Sequence, residues 1–211
     1  MTTAFKERYG PTALITGASS GIGEAFAKEL AQEGFDLVLT ARRGERLKAL
    51  SEELSSTHGI TAHVVEVDLT QTDATSQLLD ATAHLDVGLV VSNAGFGMKT
   101  PHEDIDGAAM TEMLMVNCHV PMQLTRGFIP RLKARNKGGI ILTSSVEGLI
   151  GCPYSAAYSS TKALVKSLGE ALWGELHPKG IDVLTLCPGA TDTEALAKSG
   201  MDISLMPDIM S

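Results

Sequence analysis

Thr-Ala-Leu-Ile-Thr-Gly-Ala-Ser-Ser-Gly-Ile-Gly, residues 12–23, joins an apolar run to a glycine-rich turn and then to a helical pattern. The run at 12–16 is typical of a buried strand, and residues 22–33 repeat apolar side chains at helical spacing. The glycines permit a tight turn and let the backbone approach a pyrophosphate, while the helix N-terminus offers unpaired N–H groups. A plain strand–helix connector needs only one glycine, so we predict a dinucleotide phosphate site. Its predicted residues are Gly17, Ser19, Ser20, Gly21, Ile22 and Gly23.

The alternation of apolar runs and helical patterns continues along the chain. Further apolar runs typical of strands lie at 35–40, 62–67, 87–92, 139–143 and 181–187. Helical patterns lie between them at 45–57, 74–83, 110–132 and 156–176. Near-continuous apolar strands separated by helices indicate a parallel sheet that is covered on both faces. We therefore predict one α/β domain whose ligand site lies at the carboxyl ends of the strands.

Composition and charge disfavour several kinds of partner and site. The chain has 211 residues and a net charge of −8, which disfavours nucleic acid and anionic membranes because both select basic surfaces. No apolar run is long enough for a membrane-spanning helix, and the first residues lack the apolar core of a signal peptide. We therefore expect a cytoplasmic protein. Cys118, Cys152 and Cys187 lack metal-ligand spacing, which predicts buried, inert thiols and no metal site.

A second informative stretch, residues 145–162, reads Ser-Val-Glu-Gly-Leu-Ile-Gly-Cys-Pro-Tyr-Ser-Ala-Ala-Tyr-Ser-Ser-Thr-Lys. Its predicted helix places Tyr158 and Lys162 on one face. An ammonium at about 4 Å, at an effective dielectric of roughly 20, favours the phenolate by about 4 kcal/mol. That interaction would lower the pKa of Tyr158 toward the pH at which a general acid–base works. Ser145 could bind the same substrate oxygen, so the stretch predicts proton transfer at a carbonyl or alcohol, the alternative being an exposed helix pair without function.

Two arginines follow the second predicted strand, where a protein that prefers NAD carries a carboxylate for the ribose hydroxyls. Arg42 and Arg43 could instead pair with a 2′-phosphate, and Ser19 could add a hydrogen bond. The alternative is that both arginines are solvated charges at the start of a helix. Cations are unfavourable at that end of a helix, which argues for a bound anion. NADP(H) is therefore the predicted cofactor.

Together these motifs resemble the short-chain dehydrogenase/reductase family, and the resemblance extends from Thr12 to about Thr193. Residues 16–23 are similar to the family's cofactor turn, and Ser145, Tyr158 and Lys162 are similar to its catalytic residues. The resemblance implies a single-domain α/β fold over residues 1–211. That fold is a Rossmann-like, doubly wound parallel β-sheet with helices on both faces.

Further segments at predicted strand ends resemble the family's cofactor contacts. Asp68-Leu69 is similar to the pair beside the adenine ring, with a cap for the following turn as the alternative role of Asp68. Residues 92–95, Ser-Asn-Ala-Gly, resemble an Asn-Asn-Ala-Gly stretch, and residues 188–193 resemble the segment that holds the nicotinamide carboxamide. The additional cofactor contacts implied are Asp68, Leu69, Asn93, Ala94, Gly95, Tyr158, Lys162, Pro188, Gly189, Thr191 and Thr193.

The resemblance also implies a mechanism, namely reversible hydride transfer between NADPH and a ketone or secondary alcohol. Tyr158 would donate or accept the proton, and Ser145 would bind the substrate oxygen. Lys162 would lower the pKa of the tyrosine and bind the nicotinamide ribose. Asn117 would be the fourth catalytic residue, its amide holding a water that links Lys162 to solvent, with an ordinary solvated helix residue as the alternative.

The predicted substrate is apolar. Its implied contacts are Phe96, Ser145, Leu149, Tyr154 and Tyr158. Within the family the chain is most similar to hydroxysteroid dehydrogenases and long-chain 3-oxoacyl reductases. Glu147 is expected to point to water.

Family members continue past the Pro-Gly segment into a substrate lid, another helix and a seventh strand, whereas this sequence stops at Ser211. We expect residues 193–211 to be the start of a clipped lid, the alternative being a partner chain that covers the last strand. A homodimer or homotetramer formed through the helix of Tyr158 is implied. Two other functions stay open: an idle NADPH-binding sensor, and an epimerase or dehydratase of nucleotide sugars, which the glycine spacing and chain length disfavour.

Overall fold

A computed structural model describes residues 3–191, and six parallel strands form its single sheet. The strands are β1 Thr12–Thr16, β2 Asp36–Ala41, β3 Ala62–Glu66, β4 Val87–Ser92, β5 Gly138–Thr143 and β6 Ile181–Leu186. Their order across the sheet is β3-β2-β1-β4-β5-β6, so the chain reverses its direction of travel between β1 and β4. Such a reversal opens a crevice at the carboxyl ends of the two central strands.

Seven α-helices connect the strands of the described chain. They are α1 Ala4–Tyr9, α2 Gly21–Gln32, α3 Gly44–His58, α4 Ala74–Ala81, α5 Gly107–Leu114, α6 Val120–Arg135 and α7 Ala156–Leu176. The predicted α/β fold with a doubly wound parallel sheet is confirmed, and each predicted strand lies within two residues of its observed bounds. The sequence patterns missed α1, a short helix that begins where the Thr3 side chain accepts a hydrogen bond from the backbone N–H of Lys6 at 3.2 Å.

The single helix predicted over 110–132 is wrong. A π turn, Met115–His119, separates α5 from α6, and the backbone N–H of Val120 bonds to the carbonyl of Met115 five residues earlier. The next residue, Pro121, has no N–H with which to continue the α-helical ladder, so the wider turn avoids one broken bond. The turn places Asn117 on a local bulge of the helix.

Alternate residues of each central strand face opposite cores. On one face Ile15, Leu39 and Val91 pack with α2 and α3. On the other face Leu14 and Val90 pack with α4 and α6, and the core continues across β5 and β6 to α7. Helices therefore cover the sheet on both faces and leave the carboxyl ends of β1, β4 and β5 for the polar residues described below.

Candidate active site

The glycine-rich turn after β1 is a backbone cradle that admits no side chains. Gly17 and Gly21 have φ angles of +70° and +55°. A Cβ on Gly17 would lie 2.9 Å from the Cα of Ala94, and a Cβ on Gly23 would lie 2.3 Å from the carbonyl oxygen of Gly17. No side chain caps the N-terminus of α2 at Ser20, so its first N–H groups are available to an anion.

The loop after β4 is tied to this cradle by hydrogen bonds. Thr16 Oγ1 accepts from the backbone N–H groups of Asn93 and Ala94, both at 2.9 Å, and Asn93 Nδ2 donates to the carbonyl of Thr16 at 3.1 Å. The predicted cofactor residues Asn93, Ala94 and Gly95 therefore lie beside the glycine turn. Sequence reasoning missed Thr16 as the residue that joins the two segments.

Arg43 lies against the same turn. Its guanidinium donates to Ser19 Oγ at 3.0 and 3.1 Å, to the Ser19 carbonyl at 3.2 Å and to Ser20 Oγ at 2.7 Å. Arg42 is exposed on the adjacent position, and Ile22 is half-buried at the start of α2. The structure therefore brings two arginines and two serines to one side of the cradle, where they can hold a phosphate group.

Asp68 and Leu69 have mainly structural contacts. Asp68 Oδ1 accepts from the backbone N–H of Thr70 at 3.1 Å and from Thr70 Oγ1 at 2.9 Å, and the Leu69 side chain is buried in the core. The alternative role of Asp68 as a turn cap is thus observed. On the other side of the site, Val146 N–H bonds to the carbonyl of Pro188 at 3.0 Å, so residues 188–191 lie beside the loop after β5. Thr193 and the expected lid lie outside the described residues.

Lys162 is the most buried charged group of the site, with 4% of its surface exposed. Its ammonium donates to the carbonyl of Thr143 at 2.8 Å and lies 5.6 Å from the ring centroid of Tyr158, one turn earlier on α7. Burial lowers the pKa of Lys162 to about 8, although Cys118 and Cys187 oppose that effect. The ammonium is thus held by a strand end rather than by the phenol.

The prediction that Lys162 lowers the pKa of Tyr158 is wrong for this arrangement. Burial raises the pKa of Tyr158, a hydrogen bond with Ser145 lowers it, and the charge of Glu147 raises it again. The ring packs against the backbone of Gly97, where an added Cβ would lie 2.8 Å from Tyr158 Cδ2. Tyr158 therefore keeps its proton at neutral pH, which suits a proton donor.

A pH-dependent stability follows from the burial of Lys162. Because the folded pKa is about 8 and the unfolded value is near 10.5, the unfolded chain binds more protons, and stability should rise between those pH values. Lys162→Met removes a penalty of about 3 kcal/mol and loses a hydrogen bond worth about 1 kcal/mol, so we expect a net gain of about 2 kcal/mol near neutral pH.

Urea unfolding at a series of pH values checks this expectation. The gap between Lys162→Met and the wild type should close as the pH rises through about 8 to 10.5. Lys166→Met, one turn later on α7 in a partly exposed pair with Glu170, is the control and should keep the wild-type slope. Equal slopes in the wild type and Lys162→Met would contradict the burial argument.

Asn117 joins the π turn to the loop after β4. Its Nδ2 donates to the carbonyl of Phe96 at 2.8 Å and to Thr161 Oγ1 at 3.0 Å, and its Oδ1 accepts from the N–H of Phe96 at 3.0 Å. Both amide protons are therefore committed to protein atoms, and the expectation that the amide donates to a relay water is wrong. The side chain fixes the loop in front of Lys162 instead, where Gly95 lies next to the ammonium.

The predicted substrate contacts are only partly brought together. Leu149 and Tyr154 are exposed beside Ser145, as are Val146 and Ile150, and they form an apolar surface at the mouth of the site. Phe96 instead packs its ring into the core, so only its backbone faces the site residues.

Glu147 does not point to water as expected. Its carboxylate pairs with Lys99 at 2.5 Å and accepts from Ser155 and Ser159 at 2.5 and 3.2 Å. Lys99 and Glu147 are 48 residues apart, and no sequence pattern links them.

The remaining expectations concern thiols, metals and membranes. Cys118 is buried, whereas Cys152 and Cys187 are only half-buried, which corrects the expectation that all of them are buried. Among residues 3–191, no group of acidic, histidine and cysteine side chains could hold a metal ion. The helices of that same part of the chain are each too short or too polar to span a membrane.

Comparisons with known proteins agree with this geometry. The family model of short chain dehydrogenases matches residues 11–203. Very-long-chain 3-oxoacyl-CoA reductase-A of Danio rerio is 34% identical over 186 residues, which cover 86% of this chain but 58% of that protein. The 7beta-hydroxysteroid dehydrogenase of Clostridium sardiniense is 32% identical, with 92% of this chain and 75% of that protein covered. A Sphingobium yanoikuyae short-chain dehydrogenase in complex with NADPH superposes with a TM-score of 0.91 at 32% identity, covering 95% of this chain and 79% of that one.

Proposed function

Because this chain belongs to the short-chain dehydrogenase family, we propose that it is an NADP(H)-dependent oxidoreductase that acts on a ketone or secondary alcohol. One observation supports this most. Ser145, Tyr158 and Lys162 lie together at the carboxyl end of β5, directly beside a glycine cradle that fits a dinucleotide. A phenol, a hydroxyl and an ammonium next to a nucleotide site are the groups that hydride transfer to a carbonyl requires of a protein.

In this proposal the cofactor supplies the hydride, and the protein binds the substrate and supplies the proton. Tyr158 holds the proton at its phenol oxygen and gives it to the carbonyl oxygen. Ser145 Oγ accepts a hydrogen bond from the N–H of Glu147 at 3.2 Å, which leaves its own proton for the substrate oxygen. Lys162 contributes a fixed positive charge below the ring of Tyr158.

The arginines beside the cradle support a preference for NADP(H). A guanidinium that already contacts Ser19 and Ser20 can make charge-assisted hydrogen bonds to a 2′-phosphate. We expect Arg43→Ala to weaken NADPH binding by about 10- to 100-fold, because such bonds are each worth about 1.5–3 kcal/mol. NADH binding should change much less.

Fluorescence titration with both cofactors measures the two dissociation constants. Lys48→Ala removes one positive charge from the same helix, where Lys48 pairs only with Glu45 among the printed contacts, and it is the matched control. The proposal of NADP(H) preference is contradicted if Arg43→Ala weakens both cofactors equally.

An apolar substrate is proposed on the exposed surface formed by Val146, Leu149, Ile150 and Tyr154. Two similar proteins are named for a steroid and for a very-long-chain 3-oxoacyl thioester, which supports the same class. The test is loss of NADPH absorbance with ketosteroids, 3-oxoacyl thioesters and small ketones, with NADH in parallel. Turnover with NADPH supports the proposal, whereas tight binding of NADPH without turnover of any of them would favour the idle sensor.

A homodimer or homotetramer is part of the same proposal. Leu164 and Trp173 are exposed apolar residues of α7, and Leu114 and Met122 are exposed near the neighbouring π turn. Burying such side chains stabilises an assembly in proportion to the apolar area removed from water. Light scattering on the purified protein reports the number of chains, and a monomer would contradict this part of the proposal.

A further inference from the structure

Glu147 is the hub of a half-buried polar network next to Tyr158. Its carboxylate pairs with Lys99, from the loop after β4, at 2.5 Å. It also accepts from Ser155 Oγ at 2.5 Å and Ser159 Oγ at 3.2 Å, both at the start of α7. The side chains of Lys99 and Glu147 are 21% and 17% exposed, so both charges are largely withdrawn from water.

The network joins the segments that carry the proton-transfer residues. Ser145 lies two residues before Glu147 and accepts from its backbone N–H. Tyr158 lies between Ser155 and Ser159 in the first turn of α7, and Gly97, two residues before Lys99, packs on the ring of Tyr158. Tyr154, at a φ of +61°, accepts from the N–H of Thr100 at 2.9 Å, so the two loops are also tied through their backbones. One carboxylate thus fixes both walls of the site.

We propose that Glu147 is a positioning residue for Tyr158, which it keeps in the proton-donating form by holding a negative charge beside the phenol and locking the surrounding loops. This inference rests on the proposed function. It assigns a role in that reaction to a carboxylate that does not touch the substrate oxygen, and to Lys99, which holds the carboxylate in place.

The charges around the phenol support this role. Burial raises the pKa of Glu147, but hydrogen bonds from Lys99 and Ser155 outweigh it and hold the pKa below its ordinary value, so the carboxylate is ionised at neutral pH. That charge raises the pKa of Tyr158 in addition to the larger effect of burial.

The other groups that face this pair are known from each neighbouring element. Lys99 comes from the loop after β4, and Lys162 lies below the ring on α7. Cys118 on the π turn and Cys187 after β6 act on Lys162. Glu147 is the only carboxylate among these groups, so its removal leaves Tyr158 facing positive charges alone.

The experiment compares Glu147→Gln with Lys99→Met in the full chain. The first change removes the charge at nearly constant shape, whereas the second removes the counter-ion and leaves the carboxylate. Ultraviolet absorbance of the phenolate, with Tyr158→Phe subtracted, isolates one of three tyrosines. We expect Tyr158 to titrate at lower pH in Glu147→Gln and at higher pH in Lys99→Met. For reduction of a ketosteroid by NADPH, kcat/KM should fall off at correspondingly lower and higher pH.

The outcomes separate this inference from the proposed function. If Glu147→Gln lowers the melting temperature but leaves the titration of Tyr158 unmoved, Glu147 is a structural residue only and the inference is overturned. A shift in the same direction for both variants also overturns it. If no variant and no wild-type preparation reduces any ketone, the proposed function fails, and the phenolate titration still decides whether Glu147 acts on Tyr158.

Discussion

Replacing Tyr158 by Phe is expected to lower kcat for ketone reduction by about 10²–10⁴-fold, the usual contribution of a positioned general acid. Phe keeps the ring that packs against Gly97, so the loop after β4 should stay in place. The lost group is the phenol oxygen between Ser145 and Lys162. NADPH binding should remain intact because the glycine cradle and Arg43 are unchanged.

Steady-state rates with the best ketone and fluorescence titration with NADPH measure the two quantities separately. Tyr9→Phe is the matched control, because the Tyr9 hydroxyl bonds to Asp182 at the opposite end of the sheet. It should retain wild-type turnover. Turnover retained by Tyr158→Phe would remove this residue from the mechanism.

Gly23→Ala is expected to lower the affinity for NADPH and the stability of the fold together. The new Cβ would lie 2.3 Å from the Gly17 carbonyl oxygen and 2.6 Å from Asn93 Nδ2. Both neighbours are fixed, the first by the turn and the second by its bond to Thr16. Relief of such overpacking costs about 1–3 kcal/mol, and at about 2–4 °C per kcal/mol the melting temperature should fall by roughly 2–12 °C.

Gly174→Ala is the control for the same chemical change. A Cβ on Gly174, inside α7, meets nothing within 4 Å. Alanine is the better helix former there, so this variant should be more stable by about 0.5–1 kcal/mol and bind NADPH normally. Thermal unfolding and cofactor titration of both variants test the argument. Wild-type NADPH affinity in Gly23→Ala would show that the cradle tolerates a side chain.

The sheet could be predicted closely because its strands are buried on both faces. Val87–Ser92 and Asp36–Ala41 consist largely of apolar residues, and such runs bounded by turns mark parallel strands without any knowledge of tertiary contacts. The glycine cradle could also be predicted, since the need for glycine follows from local backbone geometry. Tyr158 and Lys162 were correctly placed near each other by helical spacing.

The rest depended on directions that spacing does not contain. The Lys162 ammonium is oriented by the carbonyl of Thr143, which belongs to another element, and so the expected effect on the pKa of Tyr158 was wrong in sign. The Glu147 carboxylate found Lys99 only through the packing of two loops. The widening of the helix at Asn117 was hidden because apolar periodicity is nearly unchanged across one additional residue.

That wide turn makes the length of the segment as restrictive as its composition. A π turn holds one residue more than an α-helical turn. If a single residue were deleted between Met115 and His119, the regular helix would close up, and everything after it would rotate by about 100°. Leu124 and Phe128, both fully buried, would then turn away from the sheet. The extra residue therefore sets the phase between the half of the helix that serves chemistry and the half that serves the core.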